Sequence, residues 1–239
     1  MIQRHSIILW KKAESEDKCF EDIAKETYDV LNLFQKYEKD LRPNFLTSKT
    51  KKDIKEFEWN YENFSNTLKK GVNKDGENIF NDLGYSISFF SSIDEKKSCS
   101  FQIKAGNKNE RFFNVFNINL PDTLNLFDKE MAEYIRDLFE KIVVMYNPYW
   151  GCVSNKTISR IYGKYLDNGL PTTIHWLNYW SEDIVNIIGK EKIRRIIEEK
   201  PTISFQNGVL LIKNTAIDKD NKDDIKYHSD LQKCFFGGV

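Results

Sequence analysis

The chain has 239 residues, enough to bury a substantial core in one large domain or two small ones joined together. Lys+Arg and Asp+Glu balance at 36 each, so no global field draws nucleic acid or membrane, and neither is expected as a direct partner. The first ten residues hold too short an apolar run for a signal peptide, and no run approaches the ~18–20 apolar residues of a membrane span, so a cytoplasmic protein is expected.

Taken in chain order, His5 to Trp10 reads as a short strand. Ser15-Glu16-Asp17 carries the Ser and early carboxylates that favour a helix start, and Phe20, Ile23, Ala24, Thr27, Leu31 and Phe34 then recur at helical spacing to about Tyr37. The stretch from Arg42 to Glu58 is polar and lysine-rich and reads as a surface excursion. Tyr61, Phe64 and Leu68 predict a short helix ended by Gly71, and Asn73-Lys74-Asp75-Gly76 is turn chemistry.

The centre is the clearest β region. Tyr85, Ile87 and Phe89 alternate with serines, and Cys99, Phe101 and Ile103 alternate with Ser100, Gln102 and Lys104. A third run places Phe112, Asn114, Phe116 and Ile118 on one face. Short polar connections make these an antiparallel meander, each strand having one apolar and one more polar side. Met131, Ile135, Leu138, Ile142 and Met145 then mark an amphipathic helix that ends before Pro148.

The last third predicts a strand at Trp150 to Val153, a helix at Asn155 to Leu166 and a strand at Trp176 to Trp180. Ser181-Glu182-Asp183 opens a further helix. A hairpin follows at Thr202 to Ile212, turning at Gln206-Asn207-Gly208, and a short helix from Asp223 to Phe236 closes the chain. The expected class is α+β: a largely antiparallel sheet with a central three-strand meander, packed by about six helices. One domain over residues 1–239 is expected, with any subdomain seam near 146–150.

The chain offers few catalytic constellations. Asp82 with Asp94-Glu95-Lys96 has the composition of a metal-dependent nuclease site, in which carboxylates hold a cation and lysine stabilises charge. Yet Asp94 and Lys96 lie in a hairpin turn, where such residues are ordinarily solvated. His175 is a candidate general base only if its surroundings support it. No phosphate loop or nucleophile elbow occurs. Cys19, Cys99, Cys152 and Cys234 are scattered without ligand spacing, so no metal and no cofactor are expected.

Two features instead suggest a binding protein. Asp128, Glu130, Glu133 and Asp137 make an acidic helix surface suited to a basic partner. Tyr149, Trp150, Trp176, Tyr179 and Trp180 form two aromatic clusters that serve either as core or as binding anchors.

Several segments resemble the immunity protein 52 family of bacterial polymorphic-toxin systems, in the same order along nearly the whole chain. They are Ile8-Leu9-Trp10-Lys11, Leu68-Lys69-Lys70-Gly71-Val72-Asn73, Leu83 to Phe89, Phe101 to Gly106 and Asn117-Ile118-Asn119-Leu120-Pro121. Tyr146-Asn147-Pro148-Tyr149-Trp150-Gly151 is similar to that family's Trp-x-Pro-Asp-Trp pattern, and His175 to Ser181 to its late aromatic segment. Phe90-Ser91 stands where the family often has Trp-Asn, Tyr149 where it has Asp, and Trp180 where it has an aliphatic residue. The resemblance implies a non-enzymatic antitoxin. Its partner would be a cognate protein toxin, often a restriction-endonuclease-like nuclease, whose active site or substrate path it blocks.

Overall fold

The computed structural model describes residues 3–48, 53–162, 166–167, 169–199, 202–205 and 208–236. It holds two compact units. One, the meander unit, comprises Leu9–Thr123 and Met145–Asn147; the other, the aromatic unit, comprises Met1–Ile8, Leu124–Val144 and Pro148–Val239. Strand β1 (His5–Lys11) carries residues of both.

In the meander unit, α1 (Phe20–Phe34) buries Ile23, Ala24, Thr27, Val30, Leu31 and Phe34, the helical repeat seen in the sequence. The buried Thr27 hydroxyl is satisfied by the Ile23 carbonyl at 2.7 Å. After β2 (Phe45–Leu46), helix α2 (Tyr61–Lys70) starts where Asn60 Oδ1 accepts the Asn63 N–H at 2.8 Å, a side-chain cap for an otherwise orphaned donor. It stops at Gly71, whose N–H returns to the Leu68 carbonyl at 2.9 Å. A tight hairpin, β3 (Lys74–Asp75) and β4 (Asn78–Ile79), leads to β5 (Tyr85–Phe90), β6 (Ser100–Ala105) and β7 (Asn114–Asn119). These three pair antiparallel in sequence, and the strand order in this unit is β1-β7-β6-β5-β2.

Alternation gives the meander two unlike faces. Ile87, Phe89, Phe101, Ile103, Phe116 and Ile118 are buried, with Phe34 of α1 edge-on to Phe101 (5.1 Å between centroids) and Phe64 of α2 stacked on Phe89 (6.3 Å). Phe89 and Phe101 are direct cross-strand partners, so both helices cover the same side of the sheet.

After its share of β1, the aromatic unit holds most of α3 (Lys129–Tyr146), followed by β8 (Trp150–Asn155), α4 (Lys156–Tyr162), β9 (Leu166–Asp167), β10 (Leu170–Pro171) and β11 (Leu177–Ser181). Then come α5 (Glu182–Ile188), α6 (Lys190–Glu199), β12 (Thr202–Phe205), β13 (Gly208–Ile212) and α7 (Lys222–Phe236). Strand order in this unit is β12-β13-β11-β8-β1, with every pairing among β8, β11, β13 and β12 antiparallel. Every residue of β8 is buried, as is all of β11 except Ser181.

The fold is therefore α+β, on largely antiparallel sheet. Thirteen strands, seven α-helices and two single-turn 3-10 helices occur among the described residues. The strands beyond the expected set are the two-residue pairings β2, β3, β4, β9 and β10, too short to leave an alternating pattern. The extra helix is α6, which follows the expected α5 after Gly189 (φ +103°) and was not among the expected elements. Helix α7 matches the expected closing helix to within one residue at its start. Residues 49–52 of the lysine-rich excursion, 163–165 of the helix expected to reach Leu166, and the turn residues Gln206 and Asn207 lie outside the described residues.

Candidate functional site

The polar side of the meander carries neither α1 nor α2, which both pack on its apolar side. Register places its residues in three rows across β5, β6 and β7: Ser86–Lys104–Val115, Ser88–Gln102–Asn117 and Phe90–Ser100–Asn119. Asn117 Nδ2 donates to Gln102 Oε1 at 3.1 Å and Asn119 Nδ2 to Ser100 Oγ at 2.9 Å, so the face is laced by its own amides and hydroxyls. Its surface is dished. A depression of about 350 Å³ lies over Ser86, Ser88, Gln102, Lys104, Val115 and Asn117.

Lys104 and Val115 also border a second concavity of about 410 Å³, together with Trp10, Asn107, Arg111 and Phe112. The turn between β6 and β7 builds this second site. Asn107 Nδ2 donates to the Asn109 and Phe112 carbonyls at 3.0 and 2.9 Å, and Asn109 Oδ1 accepts the Arg111 N–H at 3.0 Å. Each asparagine amide stands in for a missing backbone partner, which holds the turn while leaving its side chains outward. Phe112 is 55 % exposed as a result. The expectation that Phe112 continues the buried face of β7 is corrected here: the strand begins at Asn114, and Phe112 sits in the turn before it.

The electrostatics of this face are one-sided. Lys104 and Arg111 are its only charged lining residues among the described residues, and neither side chain makes an ion pair there. Glu110 neighbours Arg111 in sequence but lines neither concavity.

Of the two roles open to the aromatic residues, core or binding anchor, burial assigns them to the core and corrects their candidacy as anchors. Trp150, Tyr179 and Trp180 are at most 1 % exposed, Trp176 3 % and Tyr149 7 %. Trp150 and Trp180 face each other across β8 and β11, and Trp180 packs on Phe235 of α7 at 4.5 Å between centroids. Trp176 Nε1 is spent on the Lys213 carbonyl at 2.7 Å. Rings with so little accessible surface cannot serve as anchors for a partner.

The acidic helix residues are exposed, as expected, but largely compensated. Asp128 Oδ1 caps α3 by accepting the Met131 N–H at 3.1 Å. Glu133 pairs with Lys129 at 3.9 Å, Asp137 with Lys141 at 2.6 Å and Glu140 with Arg136 at 3.7 Å. Glu130 is left with no such i,i+4 pair, so the helix offers little net field.

The nuclease constellation does not assemble. Asp82 precedes β5 and Asp94 follows it, and six extended residues between them span roughly 17 Å, far beyond the reach of one shared cation. Among the described residues no group of three or more His, Cys, Asp or Glu is placed to hold a metal. His175 is also unsuited to act as a base. It is buried in the aromatic unit, and burial, reinforced by His228 and His5, pushes its pKa down to about 3. Asn178 fixes its backbone from both sides, accepting the His175 N–H at 2.9 Å and donating to its carbonyl at 2.6 Å. Among the described residues no helix is long and apolar enough to cross a membrane.

Sequence reading missed Lys104, Arg111 and Phe112. The alternation that marked Lys104 as outward was visible; that nothing covers that side was not.

No family model matches the chain, and no curated protein matches it. Among solved structures it is similar to the Pseudomonas aeruginosa T6SS protein PA0821, with a TM-score of 0.59 at 11 % sequence identity, over 98 % of this chain and 73 % of that one. The two share a fold.

Proposed function

We propose that this chain is an immunity protein that binds and neutralises a cognate bacterial protein toxin by blocking its active site or substrate path. The observation that carries the reading is the fold shared along nearly the whole chain with a protein of a type VI secretion system. Cells that inject toxins into neighbours need a protein that protects their kin, and the ordered motifs resembling the immunity protein 52 family point to the same role. The site supports binding in preference to chemistry. A shallow, open, self-bonded sheet face fits a macromolecular surface better than a small ligand, which is ordinarily enclosed on most sides. Affinity for such a surface comes from a few well-placed aromatic and arginine contacts more than from total area, and Phe112 and Arg111 are of that kind.

The test is co-expression with the product of the adjacent gene. Restored growth and co-elution on size exclusion are expected; continued killing with no complex would reject the reading.

A further inference from the structure

We infer that the open meander face receives an acidic segment of its protein partner, one carrying carboxylates beside an apolar side chain. This rests on the reading of the chain as a toxin-binding protein, and it specifies which surface binds and what that surface selects.

Three observations lead there. First, no helix of the meander unit packs on the face, and in its outward rows Asn117 is bonded to Gln102 and Asn119 to Ser100, beside Ser86, Ser88, Phe90, Lys104 and Val115. Polar groups already bonded to one another lose little on desolvation, and Asn117 Oδ1, buried without a partner, is left to accept a donor. Second, Lys104 and Arg111 supply its charge, both of one sign, unpaired and on one concavity. Bringing a like-charged partner there is costly, whereas a carboxylate gains a charge-assisted bond, bidentate in the case of arginine. Third, Phe112 stands beside Arg111 at 55 % exposure. It is held out by Asn107, which spends its side-chain amide on the Phe112 carbonyl. The adjoining β4 segment adds Ile79 and Phe80, 57 % and 40 % exposed, and it is tied to Asn73 at the rim of the concavity by the Phe80 N–H to Asn73 carbonyl bond of 2.9 Å. Cations flanked by exposed apolar groups match acidic and apolar residues in alternation. A basic nuclease groove is therefore not what this face would meet; an acidic region of the toxin is.

Two measurements test the proposal. Titration of the wild-type chain with the adjacent gene's product is compared with Lys104→Glu/Arg111→Glu, with Phe112→Ala, and with Glu133→Lys/Asp137→Lys on α3, all checked for native circular dichroism. The sheet-face double reversal should weaken binding by about 100-fold and Phe112→Ala by about 10-fold, while the α3 reversal changes it by less than about 3-fold. A complex that forms in the wild type and survives the double reversal overturns this surface and leaves the antitoxin reading standing.

If the wild type forms no complex, the antitoxin reading fails, and the surface is then judged separately. A random dodecapeptide display library is selected on the wild-type chain and counter-selected on Lys104→Glu/Arg111→Glu. Enrichment of Asp and Glu beside Leu, Phe or Trp supports the acidic-segment assignment. No enrichment, or enrichment of basic peptides, overturns it. So does tighter capture of a single-stranded 20-nucleotide DNA probe that the double reversal abolishes, which would assign the face to nucleic acid.

Discussion

Asn107 and Asn114 clasp each other across the β6–β7 turn. The Asn107 N–H donates to Asn114 Oδ1 at 2.7 Å, and Asn114 Nδ2 returns a bond to the Asn107 carbonyl at 3.2 Å. Asn114 Nδ2 also reaches the Lys12 carbonyl at 2.9 Å, so both ends of this fully buried amide are committed. The clasp fixes where the turn leaves the sheet, and hence where Arg111 and Phe112 emerge.

Removing it should be felt locally and globally. Asn114→Ala strands the buried Asn107 N–H and empties an amide-sized space, for an expected loss of about 2–4 kcal/mol in urea unfolding. Hydrogen exchange at the backbone amides of residues 109–113 should accelerate by more than the global loss accounts for. Uniform acceleration across the unit would show that the clasp has no special hold on the turn.

Two glycines with positive φ should respond differently to the same substitution. At Gly84 (φ +68°) an added Cβ would lie 2.3 Å from the Ala105 carbonyl oxygen; at Gly76 (φ +58°) it meets nothing within 4 Å. Gly76→Ala is therefore expected to cost about 1 kcal/mol, the penalty of a left-handed residue. Gly84→Ala adds a backbone collision and should cost about 3 kcal/mol or more. Equal denaturation midpoints for the two variants would contradict the close approach of Gly84 to β6.

Acid should weaken the aromatic unit in a defined window. Burial lowers the pKa of His5 to about 4 and of His175 to about 3, and it lowers that of His228 as well. Unfolded, each histidine titrates near 6.5 and binds a proton that the folded chain refuses. Stability is thus fully present above about pH 6.5 and falls as pH drops toward 4, by up to about 1.4 kcal/mol per pH unit for each histidine. Urea midpoints from pH 7.5 to 4.5 measure this slope, and His175→Gln should reduce it. A variant with an unchanged slope would remove His175 from the account.

Core and surface aromatic residues should separate cleanly. Trp180→Ala opens a large void between β8, β11 and α7 and is expected to cost about 3–5 kcal/mol. Phe112→Ala should change stability by no more than about 0.5 kcal/mol. Thermal unfolding of the two variants beside the wild type checks both, and a stable Trp180→Ala protein would place that ring outside the core.

The strands of the meander were legible because alternation over five or six residues is a local signal. Ile87, Phe89, Phe101 and Ile103 could point to only one side once Ser86, Ser88, Gln102 and Lys104 pointed to the other. The helices α1, α2 and α3 announced themselves by the same logic at a longer period. The two-residue strands did not, since two residues make no pattern, and α6 beyond Gly189 was not read from the sequence.

The site was less legible than the fold. An aromatic cluster reads alike whether its strand lies at an edge or in the middle of a sheet; Trp150 and Trp180 became core only when β8 and β11 were placed between other strands. An acidic helix reads as a charged surface until Glu133, Asp137 and Glu140 are each seen to hold a lysine or arginine one turn away. The amino-acid order alone established α+β architecture, the meander and its two unlike sides, because side-chain period follows from backbone geometry. Which side stayed open, and that Lys104, Arg111 and Phe112 share one concavity there, depended on where the helices packed and how one turn was tied, interactions between residues distant in the chain that no local pattern encodes.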